Sequence, residues 1–174
     1  MILIISMCKE PLSELEFIEP LKALVSNSKV VHYTQLQVKD IALAEKIIIS
    51  GTALADFDYL ETDFSWISKL HKPLLGICAG AQVIAKVFGW ELADETHIGV
   101  KPVHVVKSNL LVKGDFNAYF LHTKGINGDF ITLAKSGEMP AVVKHNVKHT
   151  YACIFHPEVL NPEIITAFVH AKHK

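Results

Sequence analysis

Three short runs without a polar residue, Ile2-Leu3-Ile4-Ile5, Ile47-Ile48-Ile49 and Leu74-Leu75-Gly76-Ile77, restrict what this chain can fold into. A strand with one wet face alternates apolar and polar side chains. A run that does not alternate, and is too short for a helix, has to be buried on both faces. Segments suited to helices lie between. Ser13 can cap a helix with Glu14 and Glu16 in its first turn, and Pro20 should kink or restart it before Leu21 to Val25. Lys29 to Thr34 reads as another strand, Asp40 as the cap of a short turn over Ile41 to Ala44, and Asp63 as the cap of a helix from Phe64 to His71. Ala81 to Phe88 puts Val83, Ile84 and Val87 on one helix face, and Gly89 follows as a C-terminal cap. Strands alternating with helices imply parallel pairing through crossovers, in a sheet covered on both faces. The functional loops of such a sheet lie beyond the carboxyl ends of its strands. Cys8, Gly51 and Cys78 all stand there.

After Gly89 the pattern changes. Ile98 to Val106, Leu110 to Val112, Asn117 to His122, Phe130 to Ala134, Ala141 to His145 and Thr150 to Phe155 are strand candidates separated by Gly, Asn and Asp turns, as in a meander of hairpins. Pro162 to Ala171 reads as a closing helix with Asn161 as its cap. No repeat or long linker divides the chain, so residues 1–174 are expected to form a single α/β domain. Its expected core is a mostly parallel, three-layer sheet with a small antiparallel β addition in the C-terminal half.

Charge narrows the function. The formal net charge is -1, which points neither to nucleic acid nor to a membrane surface, and no apolar run approaches the length of a membrane span. All 17 basic residues are lysine, so bidentate guanidinium recognition of phosphate or carboxylate is absent. The three cysteines, Cys8, Cys78 and Cys153, are odd in number and form no CxxC pair. Free thiols in a reducing, cytoplasmic setting are the expectation.

Two stretches carry chemistry. In Gly76-Ile77-Cys78-Ala79-Gly80-Ala81-Gln82 the cysteine lies between strand and helix, with glycines two positions either side. That is the spacing of a nucleophile elbow, and the start of a helix favours a thiolate. A buried structural cysteine explains the stretch equally well. In Phe155-His156-Pro157-Glu158 a strand delivers a histidine, proline stops the ladder, and the carboxylate stands two residues on, within reach of the imidazole. A cysteine nucleophile needs such a base, and the base needs an orienting group. The pair of stretches together favours the nucleophile over the structural thiol.

Together the two stretches resemble the class I, or triad, glutamine amidotransferases, and the likeness runs over nearly the whole chain. Within that family it is nearest to the stand-alone amidotransferase subunit of GMP synthetase, and next to the anthranilate synthase subunit. The resemblance implies a flavodoxin-like core. It makes Cys78 the nucleophile, His156 the general base and then acid, and Glu158 the orienter. Gly51 and Ala79 would supply oxyanion N–H groups, and Gln82, His122 and Thr123 would contact the glutamine substrate. No cofactor and no metal is implied. The partner implied is a synthetase or ligase subunit that accepts the ammonia and binds any ATP. The chain departs from the family at Thr52 and Ala53, where relatives carry a second glycine or Gly-Pro, at the small Ala79 and Ala81, and at His122-Thr123-Lys124. Other readings are a partner-independent hydrolase or cysteine peptidase-like enzyme of the same fold, and a catalytically silent binding subunit. Peptidase-like relatives usually have histidine directly after the cysteine, where this chain has Ala79.

The remaining candidates read as packing. Cys153 lies within a strand, and Cys8 follows the first strand as a packed or exposed thiol. His145 and His149 flank a turn, and His97, His104 and His170 to His173 have no acidic or cysteine partners at ligand spacing, so no metal site is expected.

Overall fold

The computed structural model describes residues 1–172, so His173 lies outside the described residues. Strand β1 (Ile2–Ser6) is followed by a 3-10 turn at Pro11–Ser13 and two short helices, α1 (Glu14–Phe17) and α2 (Glu19–Leu24), which lead to β2 (Ser28–His32). Helix α3 (Val38–Leu43) leads to β3 (Lys46–Ile49). Two further 3-10 turns, Asp58–Glu61 and Ser65–Lys69, lead to β4 (Leu74–Ile77), and α4 (Ala79–Val87) starts directly after Cys78. The second half comprises β5 (Glu91–Val105), β6 (Phe116–Asn127), β7 (Ile131–Ser136), β8 (Met139–Lys144) and β9 (Thr150–Cys153), then α5 (Pro157–Leu160) and α6 (Pro162–His170).

All of these strands join one sheet in the order β2-β1-β3-β4-β9-β8-β7-β5-β6. From β2 to β9 the pairing is parallel, and from β9 onward it is antiparallel. Every residue of β1, β4 and β9 is buried, as runs without alternation require. The expected parallel α/β core with an antiparallel addition is what forms. The addition comprises β5 to β8, and the long β5–β6 ribbon is its largest part.

Local departures have local causes. The helix expected over Phe64 to His71 is a 3-10 turn whose cap position is Phe64 and not Asp63; Asp63 Oδ1, one residue earlier, accepts from the Ser65 N–H at 2.8 Å. Asp40 sits inside α3 and not at its cap. Gln37 is the cap, and Asp40 accepts the Gln37 N–H at 3.0 Å. The Ser13 side chain makes no cap bond. Asn161 makes none either; its Nδ2 donates to the Asn117 carbonyl at 3.0 Å and ties the α5–α6 junction to β6. Leu110 to Val112 is not a strand, because Asn109 Oδ1 accepts the Leu111 and Val112 N–H groups and holds a turn. The expected meander is replaced by a different order, in which β5 lies between β6 and β7.

Candidate active site

The site forms where β3, β4 and β9 end side by side. Glycines let these elements meet at backbone distance. A Cβ on Gly80 would lie 2.4 Å from the Ile49 carbonyl oxygen, and one on Gly76 would lie 2.6 Å from Gly80 backbone atoms. The start of α4 is thereby pressed onto the end of β3, and Gly80 N–H bonds the Ser50 carbonyl at 3.2 Å.

Cys78 sits at this junction with φ 47° and ψ −99°, the one non-glycine residue of positive φ among those described. Such a conformation costs on the order of 1–3 kcal/mol and persists only where the surroundings impose it. Its N–H is held by the Cys153 carbonyl at 2.8 Å, and its carbonyl accepts the first-turn N–H of Gln82 at 3.0 Å. The parallel ladder and the helix therefore fix the turn between them, and Sγ lies 3.5 Å from the Leu121 carbonyl on β6.

His156 follows β9 and is fully buried. Its N–H bonds the Tyr119 carbonyl at 2.8 Å, and its ring packs against Phe17 with centroids 5.3 Å apart. Nδ1 and Glu158 Oε1 are 2.8 Å apart, both side chains out of solvent. Nε2 makes no hydrogen bond, and Cys78 is the thiol that acts on the ring electrostatically. Burial pushes the His156 imidazolium down. The charge of Cys78 and the Glu158 carboxylate outweigh it and hold the histidine well above its ordinary range. Burial pushes the Cys8 thiol up to about 11 and raises that of Cys153 as well.

Gly51 lies against this pair. A Cβ there would meet His156 Cε1 at 2.5 Å, Nδ1 at 3.0 Å and Cys78 Cβ at 3.5 Å. Ala79 is the first residue of α4, so its N–H has no intrahelical acceptor. Cys8 converges on the same place, its Sγ 4.0 Å from the Gly51 carbonyl. Gln82, His122 and Thr123 line a cavity together with Cys78, Ala79 and Tyr59. Thus the sequence-derived site residues all come to one sheet edge.

Several neighbours carried no sequence signal. Tyr59 donates to Gln82 Oε1 at 2.5 Å, while Gln82 Nε2 donates to the Lys124 carbonyl at 3.0 Å. His97 pairs with Glu95 at 3.0 Å and packs 5.4 Å from the His122 ring, its partner across the β5–β6 ladder. Both ring nitrogens of buried His122 lack a hydrogen-bond partner, and burial, helped by His97, pushes it down to about 4. Among the described residues no three His, Cys, Asp or Glu side chains are placed to hold a metal ion. No helix among them is long and apolar enough to cross a membrane.

A thiol beside a buried, carboxylate-oriented imidazole, with backbone N–H groups on either side, is suited to acyl transfer. The model of the class-I glutamine amidotransferases matches residues 17–170, and the chain belongs to that family. It is 29% identical over 168 residues to the A subunit of the glutamine-hydrolysing GMP synthase of Methanocaldococcus jannaschii, covering 80% of this chain and 88% of that one. Its counterpart in Methanococcus maripaludis strain C5 is 36% identical over 166 residues, with the same coverage. In fold the chain is similar to a provisionally assigned GMP synthase A subunit of Thermoplasma acidophilum, with a TM-score of 0.81, 24% identity and coverage of 97% and 91%. The activity that goes with this family is that of a glutamine-hydrolysing amidotransferase.

Proposed function

We propose that Cys78, His156 and Glu158 form the catalytic triad of a glutaminase that feeds ammonia to a synthetase making GMP. The observation that carries the reading is the Nδ1–Glu158 bond of 2.8 Å, which turns Nε2 of a fully buried His156 toward Cys78. The likeness to A subunits of glutamine-hydrolysing GMP synthases supports the pathway.

The Cys78 thiolate attacks the side-chain amide carbon of glutamine, and the carbonyl oxygen becomes an oxyanion held by the Gly51 and Ala79 N–H groups. The carbon–nitrogen bond breaks as the His156 imidazolium gives its Nε2 proton to the departing nitrogen, which leaves as ammonia. Neutral His156 then takes a proton from water, and the hydroxide attacks the thioester carbon. Collapse of the second tetrahedral species breaks the carbon–sulfur bond, regenerates the thiolate beside the imidazolium, and releases glutamate. Glu158 holds Nδ1 and fixes the tautomer. Gln82, His122 and Thr123 form the substrate wall.

The test is glutamate release by the purified chain, alone and mixed with a GMP-forming synthetase, ATP and the unaminated nucleotide. Glutamine-dependent GMP formation that stops in Cys78→Ala, but continues when ammonium salt is added, is the expected result. Glutamine-dependent GMP formation that survives Cys78→Ala refutes the triad. Rapid glutamine hydrolysis that the synthetase does not alter refutes the partner.

A further inference from the structure

Gln82 is buried beside Cys78, and its amide is held at both ends, by the Tyr59 hydroxyl at 2.5 Å and the Lys124 carbonyl at 3.0 Å. The cavity that Gln82 and Tyr59 share with Cys78, Leu121, His122 and Thr123 measures about 10 Å³. That is room for about one water molecule, and a glutamine side chain alone has five non-hydrogen atoms beyond its Cα. Part of the wall has to move before a substrate amide reaches Sγ.

The wall formed by residues 52–62 is tied down by one part-buried hydrogen bond, Thr52 to Asp56, and otherwise mainly by exposed contacts. Asp56 accepts from Thr52 Oγ1 at 2.8 Å and from the Lys9 N–H at 3.2 Å, Lys9 pairs with Asp58 at 3.0 Å, and Lys124 Nζ lies 5.8 Å from the Phe57 ring centre. Exposed ties of this kind contribute little. Tyr59, 3% exposed, is the buried anchor. It sits in a 3-10 turn, whose hydrogen bonds are poorer than those of an α-helix. Burial, with the charge of Cys78, raises its phenol out of the titrating range, so it remains a donor. Tyr59 also lines a second cavity, of about 400 Å³, together with Thr62, Phe64, Ser68, Val83 and Lys86. One aromatic ring thus borders both a pocket too small for the substrate and a space large enough to receive the ring.

We propose that Tyr59 is the gate of the glutamine pocket: its hydroxyl clasps Gln82 beside Cys78, and substrate enters when the phenol swings into the second cavity. The inference rests on the glutaminase reading of the site. Opening transfers the Gln82 oxygen from Tyr59 to the substrate, so the same bond that closes the pocket is exchanged for substrate recognition.

Two variants test this in the full chain. Tyr59→Phe keeps the ring and removes the clasp. Ser68→Trp fills the receiving cavity. Alkylation of Cys78 by iodoacetamide, read by peptide mass mapping so that Cys8 and Cys153 are counted separately, measures opening without reference to glutamine. The loss of one hydrogen bond should speed Cys78 alkylation by about three- to tenfold in Tyr59→Phe and lower KM for glutamine by a similar factor, with kcat within about twofold. Ser68→Trp should slow alkylation. An unchanged or slower rate in Tyr59→Phe overturns the gate, and so does an unchanged rate in Ser68→Trp. Failure of the glutaminase reading looks different: Tyr59→Phe would still accelerate alkylation while no variant, and not the parent chain, released glutamate.

Discussion

Replacing Gly51 by alanine adds one methyl group, and its consequence can be worked from distances. The φ of Gly51 lies outside the left-handed region, so alanine brings no backbone strain of its own. The added Cβ falls 2.5 Å from His156 Cε1 and 3.0 Å from Nδ1. Relieving the first contact to about 3.4 Å moves ring or strand by roughly 0.9 Å. The ring has nowhere to retreat without loss: it packs on Phe17 and is held to Glu158 by the 2.8 Å bond. The same displacement alters the Gly51 N–H proposed as an oxyanion donor. A shift of about 1 Å in a reacting group costs about 10²-fold in rate, and loss of an oxyanion donor costs about 10²–10³-fold. We therefore expect Gly51→Ala to lower kcat for glutamine hydrolysis by at least about 10²-fold. Overpacking should destabilise the fold by about 1–3 kcal/mol, leaving it folded at 25 °C. The assay is glutamate release followed by coupled dehydrogenase absorbance, with urea denaturation of the same preparation. A folded Gly51→Ala variant whose kcat lies within twofold of the parent refutes the packing of Gly51 on His156 and the roles built on it.

Other perturbations separate the contributions further. Cys78→Ala and Cys78→Gly should both abolish glutamate release. In denaturation the glycine variant should be the more stable by about 1 kcal/mol, because only glycine is at ease at φ 47°. Glu158→Gln should lower kcat by roughly 10⁴-fold through loss of the tautomer-fixing carboxylate. Its stability deficit has a definite pH dependence. His156 is raised in the folded chain, so its contribution is full below its ordinary 6.5 and is lost as pH rises through the folded value. The gap in melting temperature between parent and Glu158→Gln should therefore narrow as pH rises above 6.5. His122 has the opposite sign. Lowered from 6.5 to about 4, it contributes stability above pH 6.5 that is lost as pH falls to 4, on the order of 3 kcal/mol. Urea titrations of His122→Phe should show a flatter acid limb, and an unchanged limb would remove His122 as its cause.

What the residues disclosed in advance follows from range. Ile2 to Ile5, Ile47 to Ile49 and Leu74 to Ile77 betray burial on both faces because the pattern is local, and the parallel half of the sheet follows from it. Cys78 and His156 stand out through glycine and proline at fixed offsets, again local signals. Pairing order in the second half is not local. Nothing in Ile131 to Ser136 says that β7 pairs with β5 at His104 and Val105. Length misled as well: β5 begins at Glu91, seven residues before the apolar Ile98 marks it, because the ribbon it forms with β6 keeps many side chains in solvent. Tyr59 and His97 stayed hidden for the same reason. Their importance lies in contacts with Gln82 and His122, across 23 residues in one case and across a strand pair in the other.

The two buried histidines near Cys78 show how the fold assigns protonation states. Burial acts on both in the same direction, against the charged form. Their neighbours then separate them. His156 faces the sulfur of Cys78 and the Glu158 carboxylate, so its imidazolium is favoured. His122 faces another histidine, and Glu95, which would favour its charged form, is already engaged by His97 at 3.0 Å. On the proposed mechanism, a proton donor for the departing nitrogen and a neutral wall for an uncharged amide are thus made from one residue type. The ladder sets the difference, because β9 delivers His156 between Cys78 and Glu158 while β5 places His97 opposite His122. Moving a carboxylate next to His122 would favour its charged form, and removing the one beside His156 would lower its pKa and leave less of the ring protonated. The neighbours, Cys78 first and then Glu158 at His156 and His97 at His122, set the two rings apart more than the identity of the histidines does.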